Sequence, residues 1–148
     1  MGLVMVRRLA LALAFVSLTA CPGAKAPSGK MLAVFDPDTV TMRTGSHGTA
    51  SLKITNDTTQ EQKINTYILE NPTLELVVSA SDGKRMPSLS PPVPPTEFSP
   101  SDFQTLKPGE TYTVTLGLYD FSPPLPPGTY TLTVKDYPDA KGTLTVTP

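Results

Sequence analysis

In several stretches of this chain every second residue is apolar, and that two-residue period limits the fold more than any other feature. Ala50, Leu52 and Ile54 share one face of residues 49–56, with Ser51, Lys53 and Thr55 on the other. Leu74, Leu76 and Val78 repeat the pattern in 73–80. Tyr112, Val114, Leu116 and Leu118 do so in 111–119, and Tyr130, Leu132 and Val134 in 129–136. Leu144 and Val146 close the chain, while Val40 and Met42 mark an early strand with 32–35 before it. A period of two places alternate side chains on opposite faces of a strand, so each run predicts a half-buried strand. Residues 62–69 fit less cleanly, because Ile64 and Ile68 fall opposite Tyr67 and Leu69. That stretch is expected to be a strand with a bulge, or one covered on both sides.

Turn-forming residues separate the runs. They include Thr44-Gly45-Ser46-His47-Gly48, Asn56-Asp57-Thr58-Thr59, Ser81-Asp82-Gly83-Lys84, Lys107-Pro108-Gly109-Glu110 and Pro126-Pro127-Gly128. Glycine reaches positive φ without steric cost and proline presets φ near −65°. Long amphipathic helical patterns are missing. Seven to eight short alternating strands in about 115 residues predict an all-β, immunoglobulin-like antiparallel β-sandwich. Gly128-Thr129-Tyr130-Thr131-Leu132 resembles the segment that opens strand F of immunoglobulin domains. The resemblance implies that Tyr130 buries its ring and turns its hydroxyl back to a backbone group. The cysteine pair and core tryptophan of antibody domains are absent, so the architecture is implied and not the antibody family.

The first residues read differently. Arg7 and Arg8 precede an unbroken apolar run over 9–16, and 17–20 return to small residues. That order is a secretory leader, and its run is far shorter than the roughly 20 apolar residues that span a bilayer. Leu18-Thr19-Ala20-Cys21 resembles the lipobox of bacterial lipoproteins. The resemblance implies cleavage before Cys21 and attachment of diacylglycerol to its thiol, with a further N-acyl chain in many bacteria. Cys21 is the only cysteine, so no intramolecular disulfide is open to it in an oxidising compartment. Lipidation would consume the thiol, and two or more acyl chains give a stable anchor. The expected organisation is therefore a cleaved leader over 1–20, a lipidated cysteine and flexible tether over 21–30, and a sandwich over 31–148. Pro22 to Lys30 is a coil with an end-to-end distance of roughly 15–18 Å. Pro22 is not the aspartate associated with inner-membrane retention, which leans toward the outer membrane in a two-membrane cell.

Charge and composition then narrow the function. Loss of Arg7 and Arg8 leaves ten cations against thirteen carboxylates, a formal charge of −3. No basic stripe remains, so nucleic acid is not an expected partner. One histidine, His47, sits in a turn. With Cys21 lipidated it cannot assemble the three or four ligands of a zinc site, and it reads as solvated. No nucleophile elbow is present, so no catalytic residue, cofactor or metal site is assigned. Calcium is the better metal candidate. Asp36-Pro37-Asp38 sets two carboxylates two residues apart, and Asp57, Asp82, Asp120, Asp136 and Asp139 lie in expected loops. Aspartate is also favoured in turns for local reasons, and the EF-hand spacing is missing.

All 17 prolines follow the leader. Residues 87–100 hold six of them in Pro87-Ser88-Leu89-Ser90-Pro91-Pro92-Val93-Pro94-Pro95-Thr96-Glu97-Phe98-Ser99-Pro100, and Ser122-Pro123-Pro124-Leu125-Pro126-Pro127 is a shorter relative. Proline stiffens an extended loop. Leu89, Pro91, Pro92, Val93, Pro94, Pro95 and Phe98 are therefore the candidate partner-binding surface. The alternative is a rigid connection whose apolar residues pack back on the sandwich.

Asp102-Phe103-Gln104-Thr105-Leu106-Lys107-Pro108-Gly109-Glu110-Thr111-Tyr112, followed by Leu116 to Phe121 and Gly128-Thr129-Tyr130-Thr131-Leu132, resembles the non-catalytic Ig-like domain of deuterolysin-type metalloendopeptidases. The match covers about a third of the chain. No His-Glu-x-x-His is present, so peptidase activity does not carry over. The outline also resembles the bacterial intracellular proteinase inhibitor fold, without that family's tryptophans. The expected function is a non-catalytic envelope lipoprotein that binds a protein partner or serves structurally, held to the membrane by its N-terminal lipid. The alternatives are a peptidase inhibitor or accessory domain, and a calcium-dependent adhesin-like module.

Overall fold

The computed structural model describes residues 26–70, 76–87, 97–118, 121 and 123–148. The leader, Cys21 and residues 88–96 of the proline-rich segment, among them Leu89, Pro91, Pro92, Val93, Pro94 and Pro95, lie outside the described residues, as do 71–75, Tyr119, Asp120 and Ser122. The chain runs through β1 (Lys30–Phe35), β2 (Thr39–Arg43), β3 (Gly48–Asp57) and β4 (Gln62–Asn65) into a short helix α1 (Thr66–Glu70). Next come β5 (Leu76–Ser79), a 3₁₀ turn (Pro100–Asp102), β6 (Phe103–Leu106), β7 (Thr111–Leu118), β8 (Gly128–Val134) and β9 (Tyr137–Thr147). One sheet has the order β1-β3-β7, a second has β2-β9-β8-β5, and β4 pairs with β6 in a small third ladder.

The architecture is the all-β sandwich that alternation predicts. Ala50, Leu52 and Ile54 of β3 are buried, as are Val114, Leu116 and Leu118 of β7. Tyr130, Leu132 and Val134 of β8 and Leu144 and Val146 of β9 face them from the second sheet. Their side chains join in one continuous core. Burying apolar area is the main favourable contribution to folding, and the period of two lets each strand give one face to that core.

The described residues hold nine strands, and three details depart from the expectation. First, 62–69 is not one strand. β4 ends at Asn65 and α1 begins at once, because Asn65 Oδ1 accepts the N–H of Ile68 and so caps the helix. Ile64 and Leu69 are thereby both buried. Second, β8 stops at Val134, and Lys135 and Asp136 form the hairpin turn into an eleven-residue β9. Tyr137 pairs with Val134 but Lys141 pairs with Thr133, so residues 138–140 bulge out of register. Third, one pair is parallel. β1 and β2 are two halves of a single kinked strand that changes sheets over residues 36–38. Before the kink the Asp36 N–H bonds the Ser51 carbonyl of the first sheet. After it the Asp38 carbonyl accepts the Thr143 N–H of the second, and β2 continues parallel to β9.

The kink is possible because Gly142 is bare. A Cβ there would sit 3.0 Å from the ring of Phe35 and 3.2 Å from the Asp38 carbonyl oxygen. The Phe35 ring, 4% exposed, therefore lies directly on the Gly142 backbone.

The register defines two ends. Lys30, Asp57, Thr111 and Val134 lie toward one, and Gly48, Leu118 and Gly128 toward the other. The first is organised by Asn56, the one buried polar residue among those described. Its Nδ2 donates to the carbonyls of Gln60 and Leu106, both at 2.8 Å. Its Oδ1 accepts the N–H and the hydroxyl of Thr58. All four hydrogen-bonding positions of the amide are used. Its backbone also holds the 107–110 turn, accepting from Gly109 N–H and donating to the Glu110 carbonyl. That turn has Pro108 ahead of Gly109 at φ 82°, as a type II turn requires. Glu110 closes it by accepting the Lys107 N–H on its carboxylate.

At the other end Tyr130 makes a tyrosine corner. Its ring is 7% exposed and its hydroxyl donates to the Pro126 carbonyl at 2.7 Å.

Candidate functional site

The chain leaves the proline-rich segment at Phe98, and hydrogen bonds lock the turn beyond it in place. The Ser99 N–H donates to Asp102 Oδ2 at 2.6 Å, and the Asp102 N–H returns to the Ser99 carbonyl. Pro100 begins the 3₁₀ turn, where its fixed φ suits the first helical position. The Asp102 carbonyl accepts the Thr66 hydroxyl at 3.1 Å, which ties this turn to the start of α1. β6 then sets out with Phe103 opposite Asn65.

Three aromatic rings converge as a result. Tyr67 comes from the first turn of α1, Phe98 from the end of the proline-rich segment and Phe103 from the first position of β6. Tyr67 and Phe98 meet with ring centroids 6.0 Å apart at 62°, and Phe98 and Phe103 at 6.2 Å and 81°. Both are edge-to-face contacts within the favoured range. Phe98 is nonetheless 44% exposed and Phe103 42%. A row of half-exposed aromatic rings is the kind of surface that anchors protein partners.

The helix beneath the row is pinned at both ends. Asn65 caps its start, Leu69 buries itself in the core, and at its end the Tyr112 hydroxyl of β7 donates to the Glu70 carboxylate. Burial first, and then the hydrogen bond to Glu70 and its negative charge, push the Tyr112 phenol up to about 12.

The second proline-rich connection is built otherwise. Leu125 is 2% exposed, and the Pro126 carbonyl holds the Tyr130 hydroxyl. This loop packs back on the sandwich as a rigid connection. Of the expected binding surface, Phe98 is the one described member, and it faces outward. Tyr67 and Phe103 were not expected beside it. A capping Asn65 with an apolar residue just before it, Ile64, and another four places after it, Leu69, is a helix-start signal, and Phe103 heads a run in which only Leu106 turns inward.

Of the carboxylates weighed for calcium, Asp120 lies outside the described residues and the described ones do not gather. Asp36 pairs with Lys53, Asp38 accepts the Thr39 hydroxyl, and Asp57 accepts the Ser28 N–H. Asp82 closes its own turn through the Lys84 N–H, and Asp139 pairs with Lys30 at 3.0 Å. Among the described residues no three histidine, cysteine or carboxylate side chains could hold one ion together. His47 is exposed in its turn. Among the same residues no helix is long and apolar enough to cross a membrane.

Compared with known proteins, the chain matches no family model and no curated protein.

Proposed function

We propose that this protein is a non-catalytic lipoprotein of the cell envelope, held by acyl chains on Cys21, whose sandwich engages another protein through the aromatic row. In a two-membrane cell the outer membrane is the favoured location. The observation that carries the reading is the exposure of Phe98 and Phe103 on a rigidly fixed backbone. Large aromatic side chains held in place lose little conformational freedom on binding, so their burial by a partner is gained at low cost. The lipobox-like Leu18-Thr19-Ala20-Cys21 supports the location.

The test uses the full chain in cells. A photo-crosslinking residue at Gln104, exposed beside Phe103, is expected to capture a specific protein. The pair Phe98→Ser and Phe103→Ser is expected to abolish that capture and leave the melting temperature nearly unchanged. Capture that is absent, or that survives the pair, removes the reading. The intact mass of the mature N-terminus tests the acylation separately.

A further inference from the structure

We infer that the end of the sandwich made by residues 57–60, the 107–110 turn and the β8–β9 hairpin lies against the lipid surface, and that the end bearing the 44–47 turn and Pro123 to Gly128 projects away from it. This rests on the acylation of Cys21 proposed above.

The argument begins where the chain joins the domain. The Ser28 N–H donates to Asp57 Oδ2 at 2.6 Å and the Gly29 N–H to the Asp57 carbonyl at 3.0 Å. Two residues later Lys30 pairs with Asp139 on β9. Acids from both sheets thus hold the incoming chain from Ser28 onward. Seven Cα steps separate Ser28 from Cys21. Fully stretched they reach about 23–25 Å, and as a coil about 13–16 Å.

The height of the domain is set by β3, which runs from Gly48 at one end to Asp57 at the other. Its nine steps span about 30 Å. An inverted domain would have to lift Ser28 by at least that height, which exceeds the stretched tether. Inversion is therefore excluded, and the Asp57 end, where the tether enters, is the end it can hold against lipid.

The chemistry of that end fits contact with headgroups without insertion. Lys30, Lys107 and Lys135 are interspersed with Asp57, Glu110, Asp136 and Asp139, a mixture with no net attraction for an anionic surface. Among the described residues the exposed large apolar ones, Val34, Phe98 and Phe103, lie outside its loops. The tether, and not charge, brings this end to the surface. The network around Asn56 keeps its loops in one shape.

Acylation occupies the only native thiol, so one added cysteine labels uniquely. Full-length Thr59→Cys and Thr129→Cys, both at exposed positions on opposite ends, would each carry a fluorophore. The probe is a phosphatidylcholine vesicle doped with headgroup-nitroxide phosphatidylcholine. The label at position 59 is expected to be quenched several-fold more than that at position 129, in low or high salt alike. Equal quenching, or the reverse order, on a chain that floats with vesicles and shows the acylated mass overturns the inference alone. A chain that neither floats nor carries acyl mass overturns the lipoprotein reading and the inference with it. Quenching that vanishes in added salt assigns the contact to charge and also overturns the tether argument.

Discussion

Asn56 donates a side-chain hydrogen bond to the carbonyl of Leu106, fifty residues further along the chain, and both residues are at most 1% exposed. One amide thereby joins β3 to β6, while its other hydrogen fixes the loop at Gln60. Asn56→Ala would leave the buried Leu106 carbonyl without its donor and would remove the acceptor of the Thr58 N–H and hydroxyl. The expected loss is about 2–3 kcal/mol in urea unfolding with an unaltered m-value. Asn56→Asp should be no better, since it removes the same donors and adds a buried charge. A midpoint within error of the parent for Asn56→Ala would show that water replaces the amide.

The tyrosine corner separates into ring and hydroxyl. Tyr130→Phe keeps the buried ring and drops only the bond to Pro126, so it should cost about 1 kcal/mol. Tyr130→Ala also empties a core position and should cost about 3–5 kcal/mol. Equal losses in a thermal or urea series would contradict this division.

Gly142→Ala tests the kink. The new methyl would meet the Phe35 ring at 3.0 Å, closer than packed carbon atoms approach. A destabilisation of about 1–3 kcal/mol is expected. Combining it with Phe35→Leu should recover part of that loss, because the two side chains compete for one space. Strict additivity in the double variant would exclude this contact as the cause.

Alkaline pH should weaken the fold in a defined window. The Tyr112 phenol is raised from 10.0 to about 12, and burial followed by the charge of Asp136 raises Tyr137 as well. The folded state therefore holds these protons more tightly than the unfolded chain. The contribution of Tyr112 is complete below pH 10 and is lost as pH climbs through about 12, and that of Tyr137 is likewise lost on the alkaline side. Urea midpoints should fall across that interval, and Tyr112→Phe should reduce the fall. A midpoint independent of pH there, or an unchanged slope in the variant, would rule out Tyr112 as a source.

The main strands were legible because they obey the simplest rule. β3, β7 and β8 each put one parity inward, and the structure buries that parity almost residue for residue. Even Asn56 follows it, sharing parity with Ala50, Leu52 and Ile54. A polar residue at an inward position was a signal for a hydrogen-bonded hub, but its place among turn formers hid it. The first half of β9 was obscured by Pro138 and Gly142, which ordinarily speak against a strand. Here the bulge accommodates one, and a ring resting on bare backbone explains the other. The aromatic row joins Tyr67 to Phe98 and Phe103, which lie far along the chain from it, and no local period connects them. Cys21 and residues 88–96 lie outside the described residues, so lipidation and most of the expected binding loop stand on sequence.

The irregular stretch of β9 has a bearing on how copies of this protein behave side by side. Uncovered strand margins invite pairing with a neighbour's backbone. β9 is an interior strand, but β2 pairs only with Thr143–Thr147, so among the described residues the first half of β9 has no ladder partner on that side. There, over residues 138–140, the chain steps out of ladder geometry and presents Pro138, which has no N–H to offer, next to an ion pair. Such a margin is a poor template for fibril growth, so even densely gathered molecules would gain little by zipping together along that side.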